Sequence, residues 1–339
     1  MLAREGDLIE NKEGIIFDVK GLIHPPNKII AFPRFIPSTT GNRKREKIKY
    51  VKIYNLQKRF DYLKKNAPNL IVYDPIFDET LCEVPIKNIK RHYNPISKLD
   101  KLRISKKNLY LEKKAVNLLT ILKKRAKIPW KSIGISGSIL VGLNKLKSDL
   151  DPVIFGTKNC QKAYKTLETM LEMDDTDLKA YSHEEFKNLF NFRKKDTYMR
   201  FNDFKRVESR KAFQGMFLGT NFFIRFVKNW NQITQKYGDI KYKNFGEAKI
   251  SAIVSDDSEA LFTPCTYKID NVKIISGKKR VSIQEIVSFR GRFCQQAKQK
   301  EEIIAQGKIE KVQIKNKKRP YYRLLLGSKP TDYMILSHV

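Results

Sequence analysis

The chain has 339 residues, with 68 Lys and Arg against 36 Asp and Glu, a formal net charge of +32. Its hydrophobic content of 41% excludes a disordered basic tail, and its length exceeds one ordinary domain. So much charge of one sign makes a compact state repel itself, which points to a polyanionic partner, nucleic acid first.

The first third reads as strands. Ile15–Val19 is a short apolar run after Gly14, and Ile29–Phe32 follows the turn-like His24-Pro25-Pro26-Asn27. Residues 37–49 are polar and basic and predict a loop. Leu56, Phe60 and Leu63 sit at helical spacing over 56–66, and Leu70–Tyr73 reads as a strand ended by Asp74-Pro75. Asn94-Pro95 marks a domain boundary. Beyond it Leu111, Ala115, Leu118, Leu119 and Leu122 form one apolar face of an amphipathic helix in a strongly basic segment, which Pro129-Trp130 ends. Ser132–Ser136 predicts a buried strand, Ile139–Leu143 a short helix, and Leu150–Phe155 a second strand. A helix over 159–173 follows, capped by Asn159, with further helices over 182–195 and 203–213. Phe222–Val227 is a strand. The final hundred residues return to strands at 248–254, 261–269, 272–275, 308–314 and 321–326, with helix expected within 282–289 and 295–305. That pattern predicts a separate small mixed or barrel-like domain.

No apolar run approaches the ~18–20 residues of a membrane span. The polar start MLAREGDLIENKEG has no signal-peptide core, so an intracellular, cytoplasmic protein without a membrane partner is expected. Cys82, Cys160, Cys265 and Cys294 contain no CxxC pair, and the histidines are dispersed, so neither a disulfide framework nor a zinc site is predicted.

The chemistry concentrates in Gly134-Ile-Ser-Gly137-Ser138 through Ser148-Asp149-Leu150-Asp151. Gly137 lets backbone approach a phosphate closely, and a helix opening at Ser138 offers unpaired N–H groups and a hydroxyl to an anion. Asp149 and Asp151 are two apart on a predicted strand and therefore share a face. Two neighbouring carboxylates repel unless a cation sits between them, and hard oxygen ligands suit Mg²⁺. Lys145 and Lys147 are near enough in sequence to neutralise a triphosphate; a solvent-facing turn is the alternative.

Together these residues resemble the Gly-Ser … Asp-x-Asp signature of the DNA polymerase β-like nucleotidyltransferase superfamily, over roughly residues 132–156. The wider chain is similar to archaeal proteins of that predicted class, in the runs Phe262–Tyr267 and Ser288–Cys294. The resemblance implies a polymerase β-like core, with Gly137 and Ser138 holding phosphates and Asp149 and Asp151 as the first two metal ligands. It implies a nucleoside triphosphate substrate and two Mg²⁺ ions, with transfer of the nucleoside monophosphate to a hydroxyl. Two positions depart from the pattern. Pro152 stands where an aliphatic residue is usual, so the strand must be an edge, bulged or shortened there. The third carboxylate of the family has no counterpart in 221–228, where Arg225 is central; Asp203, Asp239, Glu247 and Asp256 are the substitutes on offer.

Basic groups elsewhere suggest where nucleic acid would lie. Arg43, Lys44 and Arg45 open a stretch to residue 65 in which Tyr50, Tyr54, Phe60 and Tyr62 are interleaved, which suits backbone tracking with base stacking or, alternatively, core packing under snorkelling lysines. Lys278-Lys279-Arg280, Arg290 and Arg292, and Lys317, Lys318 and Arg319 cluster near the end. The resulting expectation is an α+β chain of three parts. A strand-rich N-terminal domain spans 1–95, a nucleotidyltransferase core 96–230 and a basic β-rich domain 231–339. RNA or tRNA is the favoured acceptor. The alternative is a catalytically weak or inactive transferase-like protein that binds nucleic acid.

Overall fold

The computed structural model describes residues 1–277 and 281–337. The basic run 278–280 therefore lies outside the described residues. The chain is α+β and divides into two units. The first comprises residues 1–73, 80–180 and 212–234; the second comprises 74–79, 181–211 and 235–339. The segments expected as an N-terminal domain and a transferase core thus fall largely within one unit.

In the first unit the opening strands β1 (Leu8–Asn11), β2 (Ile16–Val19) and β3 (Lys28–Pro37) form an antiparallel meander. The basic stretch expected as a loop is instead a hairpin, β4 (Arg43–Arg45) and β5 (Ile48–Lys52), with β5 paired to β3. Charged residues suit an edge hairpin because they keep it from pairing with another chain. Helix α1 (Leu56–Asn66) follows, capped by Asn55. Then come β6 (Ile71–Asp74), β7 (Glu79–Pro85), which pairs with β3, and β8 (Ile89–Tyr93), which pairs with β1. Phe60 meets Phe32 edge-on at 5.6 Å, and Tyr50 is fully buried, so these two aromatics serve packing.

Helices α2 (Pro95–Ile104) and α3 (Tyr110–Ala126) lead into a small mixed sheet. The apolar face of α3 is buried as its spacing predicts. β9 (Ile133–Ile135) runs antiparallel to β10 (Pro152–Phe155), and β10 is parallel to a later strand. Joining β9 to β10 is a single helical turn, α4 (Gly137–Leu140), shorter than the helix to Leu143 that the sequence suggests. α5 (Thr157–Glu172) packs on the sheet and starts two residues before the expected cap Asn159. β11 (Leu178–Lys179), β12 (Gln214–Phe217) and β13 (Thr220–Phe223) form a second small sheet. The expected strand 222–227 is broken at Ile224, and its second half is β14 (Arg225–Val227), the parallel partner of β10.

One apolar cluster joins the meander to the β9–β10 connection. Leu8, Ile16, Phe35 and Tyr50 pack with Leu140, Val141 and Leu143. Neither part has that apolar face covered without the other, which is the physical reason they form one unit.

The second unit contains α6 (His183–Arg193) and α7 (Phe201–Glu208) and a sheet that closes on itself. Its strands are β15 (Ile240–Asp256), β16 (Cys265–Gly277), β17 (Ile283–Ser288), β18 (Glu302–Ile314), β19 (Tyr321–Leu326) and β20 (Tyr333–Leu336). The order is β15-β16-β17-β19-β18, with β18 pairing back onto β15 to complete a five-stranded ring and β20 added beside β18. β17 and β19 are parallel and the other ring pairs antiparallel. Residues 283–288, expected within a helix, form a strand, and residues 295–301, also expected to be helical, are irregular. Short apolar runs do not distinguish strand from helix by period alone, and the ring supplies the hydrogen-bond partners that decide. All four cysteines are buried and free.

Candidate active site

The site is built at the seam between β9, α4 and β10. The backbone around the acidic pair is clamped from both sides. Leu150 donates its N–H to the Asn221 carbonyl at 2.8 Å and accepts from the Phe223 N–H at 2.9 Å; the Ser136 N–H donates to the Asp151 carbonyl at 2.8 Å. Pro152 is the first residue of β10, where a missing N–H breaks no ladder bond, so the strand is shortened there as expected. The two acids consequently sit just ahead of the regular strand.

Gly137 lies against the Asp151 side chain. Its φ is +62°, and a Cβ placed there would lie 1.8 Å from Oδ2 of Asp151. The turn can pass beneath the Asp151 carboxylate only because residue 137 has no side chain. Sequence spacing and tertiary geometry therefore agree that Gly137 and Asp151 belong to one constellation. Asp149 shares it: burial, then the like charge of Asp151, pushes its carboxyl above the usual carboxylate range, against the pull of Lys52, Arg34 and Arg43. Asp149 itself reaches solvent. That exposure limits the size of the shift, and the charge on Asp151 secures its direction.

Lys52 and Arg34 were not singled out by the sequence. They come from β5 and β3, far from Asp149 in the chain. Both lie over the ring of Tyr54, each 4.7 Å from its centroid. Burial and Arg34 hold the Lys52 ammonium below its usual range, while Asp151 pulls it back up. No local motif marks these residues, because strand pairing across the meander is what brings them to the acids.

The other predicted phosphate-binding residues are placed as follows. Ser138 is buried, and its Oγ has no hydrogen-bond partner. Lys145 and Lys147 are exposed on the turn before Asp149. That turn is tied by Ser148, whose Oγ accepts from the Lys145 N–H at 2.9 Å and from Arg43 at 3.2 Å. A single helical turn at α4 supplies local N–H groups and little macrodipole.

The predicted nucleic-acid residues divide into two kinds. Lys44, Lys317, Lys318 and Arg319 are exposed. Arg43 also donates to the Leu143 carbonyl, while Arg45 is held by both oxygens of Glu10, at 2.9 Å each, and by the hydroxyls of Tyr93 and Tyr50. Arg290 and Arg292 both turn to Asp196, with Arg290 3.2 Å from its carboxylate and Arg292 2.6 Å from its carbonyl. These four guanidinium groups are structural ties in this conformation.

The candidate third acids Asp203, Asp239, Glu247 and Asp256 belong to the second unit. Asp239 accepts from the Lys236 N–H, Glu247 pairs with Lys329, and Asp256 accepts from the Ser258 N–H. Arg225 on β14 pairs with Glu5, and Glu5 and Asp18 share Lys20 at 3.2 and 2.9 Å. Burial works to raise the Asp18 carboxyl, but Lys20, Arg225, Arg34 and Arg59 together hold it well below the usual range. Among the described residues no three His, Cys, Asp or Glu side chains group as a metal site. Asp149 and Asp151 are hard oxygen donors of the kind Mg²⁺ takes, and an ion there would need water or substrate oxygens for the rest of its shell. The pair does not supply a third protein carboxylate for a second ion.

Comparison with known proteins places the chain in a family. It is 34% identical over 337 residues to an uncharacterized protein of Methanocaldococcus jannaschii, covering 97% of this chain and 96% of that one, and it belongs to the same family. No protein-family model matches the chain, and no solved structure does. Among the described residues no helix is long and apolar enough to cross a membrane.

Proposed function

We propose that the protein is a Mg²⁺-dependent nucleotidyltransferase of the polymerase β-like kind, moving a nucleoside monophosphate from a nucleoside triphosphate to a hydroxyl on nucleic acid, RNA or tRNA in the first place. The close approach of Gly137 to the Asp151 carboxylate carries this reading, because it sets the Gly-Ser turn directly against one of the two acids. Asp149 and Asp151 would hold Mg²⁺, which when bound polarises the reacting phosphate and draws charge from the leaving pyrophosphate. Lys52, Arg34 and Arg43 ring the acids with positive charge and favour a polyphosphate entering between them. Lys145 and Lys147, exposed on the adjacent turn, would meet the tail of such a ligand.

The test is transfer of labelled nucleotide to RNA by purified protein with Mg²⁺, together with pyrophosphate release. Asp149→Asn is expected to abolish both while leaving the circular dichroism spectrum unchanged; equal activity in wild type and variant rejects the site.

A second reading is a transferase-like protein that binds nucleic acid with weak or no turnover. The position of Arg225 favours it: the strand beside the acid pair presents a cation engaged with Glu5 where the family has a third acid. It predicts steeply salt-dependent binding that survives Asp149→Asn, without pyrophosphate release.

A further inference from the structure

Several cations of the second unit are arranged in a pattern that the candidate active site does not use. Lys243 on β15 is directly opposite Lys311 on β18, and Lys311 is directly opposite Tyr322 on β19. Cross-strand partners project to the same face, so two lysines and a tyrosine form one row across three neighbouring strands. Lys241, paired with Gln313, extends the row by one step. Tyr322 also meets Phe245, with ring centroids 5.1 Å apart and planes at 48°. Lys241 and Lys243 are exposed, and Lys311, Tyr322 and Phe245 are half-buried. The turn that joins β18 to β19, Lys315–Arg319, lies just past the last ladder pair, Val312 with Tyr321, and all five of its residues are exposed.

Two features make this more than a solvated surface. Like charges directly opposite in a sheet weaken the pairing, and nothing in the fold requires them here. The acid that could relieve them faces away. Glu310 is buried on the other side of β18, bonded to Arg323 at 2.8 Å, and Arg323 lies 3.9 Å over the ring of Tyr242. Among the described residues no ion pair involves Lys241, Lys243, Lys311 or the cations of the turn. A row of unneutralised cations beside two partly exposed rings matches a phosphate backbone with unstacked bases. A duplex would hide its base faces from those rings. The ring order, with its third and fifth strands parallel, is also the connectivity of oligonucleotide-binding barrels, a likeness that names no ligand by itself.

We infer that the β15–β18–β19 face of the second unit, centred on Lys243, Lys311 and Tyr322 and bordered by the 315–319 turn, binds single-stranded nucleic acid. It gives the nucleic-acid partner of the proposed function a location, and it rests on that reading only for the nature of the partner. Arg290 and Arg292, held by Asp196, lie outside it.

The experiment is fluorescence anisotropy of labelled oligouridylate with the full chain across a salt series. Lys243→Ala with Lys311→Ala is expected to flatten the plot of log affinity against log salt by about 1.4, two phosphate contacts at roughly 0.7 each. The pair should leave the thermal midpoint unchanged or raised, because an opposed like charge has gone. Tyr322→Leu keeps the apolar bulk and removes the stacking face; affinity should fall about tenfold. Wild-type affinity and salt slope in both folded variants, or equal affinity for a duplex of the same length, overturns the inference. Asp149→Asn separates the two ideas. Lost transfer signal in every protein, with oligouridylate binding sensitive to Lys243, Lys311 and Tyr322, removes the enzyme and leaves the surface. Transfer that depends on Asp149, with binding indifferent to the three, removes the surface and leaves the enzyme.

Discussion

Gly137→Ala is the most direct probe of the site because the structure states what the new methyl group meets. The added Cβ would sit 1.8 Å from Oδ2 and 2.6 Å from Cγ of Asp151. Non-bonded contact needs roughly 3–3.5 Å, so the carboxylate must withdraw by more than about 1 Å or the turn must move by as much. Alanine at φ +62° adds a backbone cost of about 1–2 kcal/mol. Strain of this size lowers the thermal midpoint of the first unit by a few degrees. The chemical effect should be larger than the stability effect, since a misplacement of about 1 Å at a reacting centre can cost on the order of 100-fold in rate. The assay is nucleotide transfer per folded molecule, with differential scanning calorimetry giving the folded fraction. A variant with unchanged midpoint and unchanged transfer would refute the claim that this turn and Asp151 form one site.

Three further outcomes follow from particular contacts. The folded-state pKa of Asp149 is raised, so its ionisation opposes folding above the usual carboxylate range and is without effect below it. Asp149→Asn should therefore raise the thermal midpoint near pH 7, with the gain shrinking as pH falls through the carboxylate range; a gain independent of pH would contradict the assignment. Lys52→Met takes away a cation facing the acids, so in metal-free protein Asp149 should titrate higher still, and the affinity for a nucleoside triphosphate should fall; NMR titration of the carboxyl and calorimetric binding measure the two. Arg323→Met takes from the buried Glu310 the Nε hydrogen bond and the Nη2 ion-pair contact, both at 2.8 Å with 8% and 3% side-chain exposure for the pair, and should destabilise the second unit by about 3–5 kcal/mol in urea unfolding. A loss under about 1 kcal/mol would show that Lys308, 2.9 Å from Glu310, suffices alone.

Local order along the chain determined a good deal. The period of Leu111–Leu122 specifies a helix wherever it is placed, because an apolar face every 3.6 residues has one favourable conformation, and the helix expected over 182–195 forms over 183–193. The nearness of Gly137 to Asp151 was legible for a similar reason: the two are joined by a short connection between neighbouring strands. Pro152, through its missing N–H, called for an edge, a bulge or a shortened strand, and the structure shows the shortened one. What only the tertiary structure decided depends on partners distant in sequence. Residues 283–288 carry no period strong enough to choose between helix and strand, and they became a strand because β16 and β19 offered hydrogen bonds on both sides. Arg43 and Arg45 have the composition of a nucleic-acid loop, yet strand pairing aims them at Leu143 and Glu10. The pairing of β3 with β5 brings Lys52 and Arg34 within electrostatic range of Asp149, and Lys243 meets Lys311 and Tyr322 by closure of the ring. Long-range register sets which charges share a face, and no window of sequence contains that register.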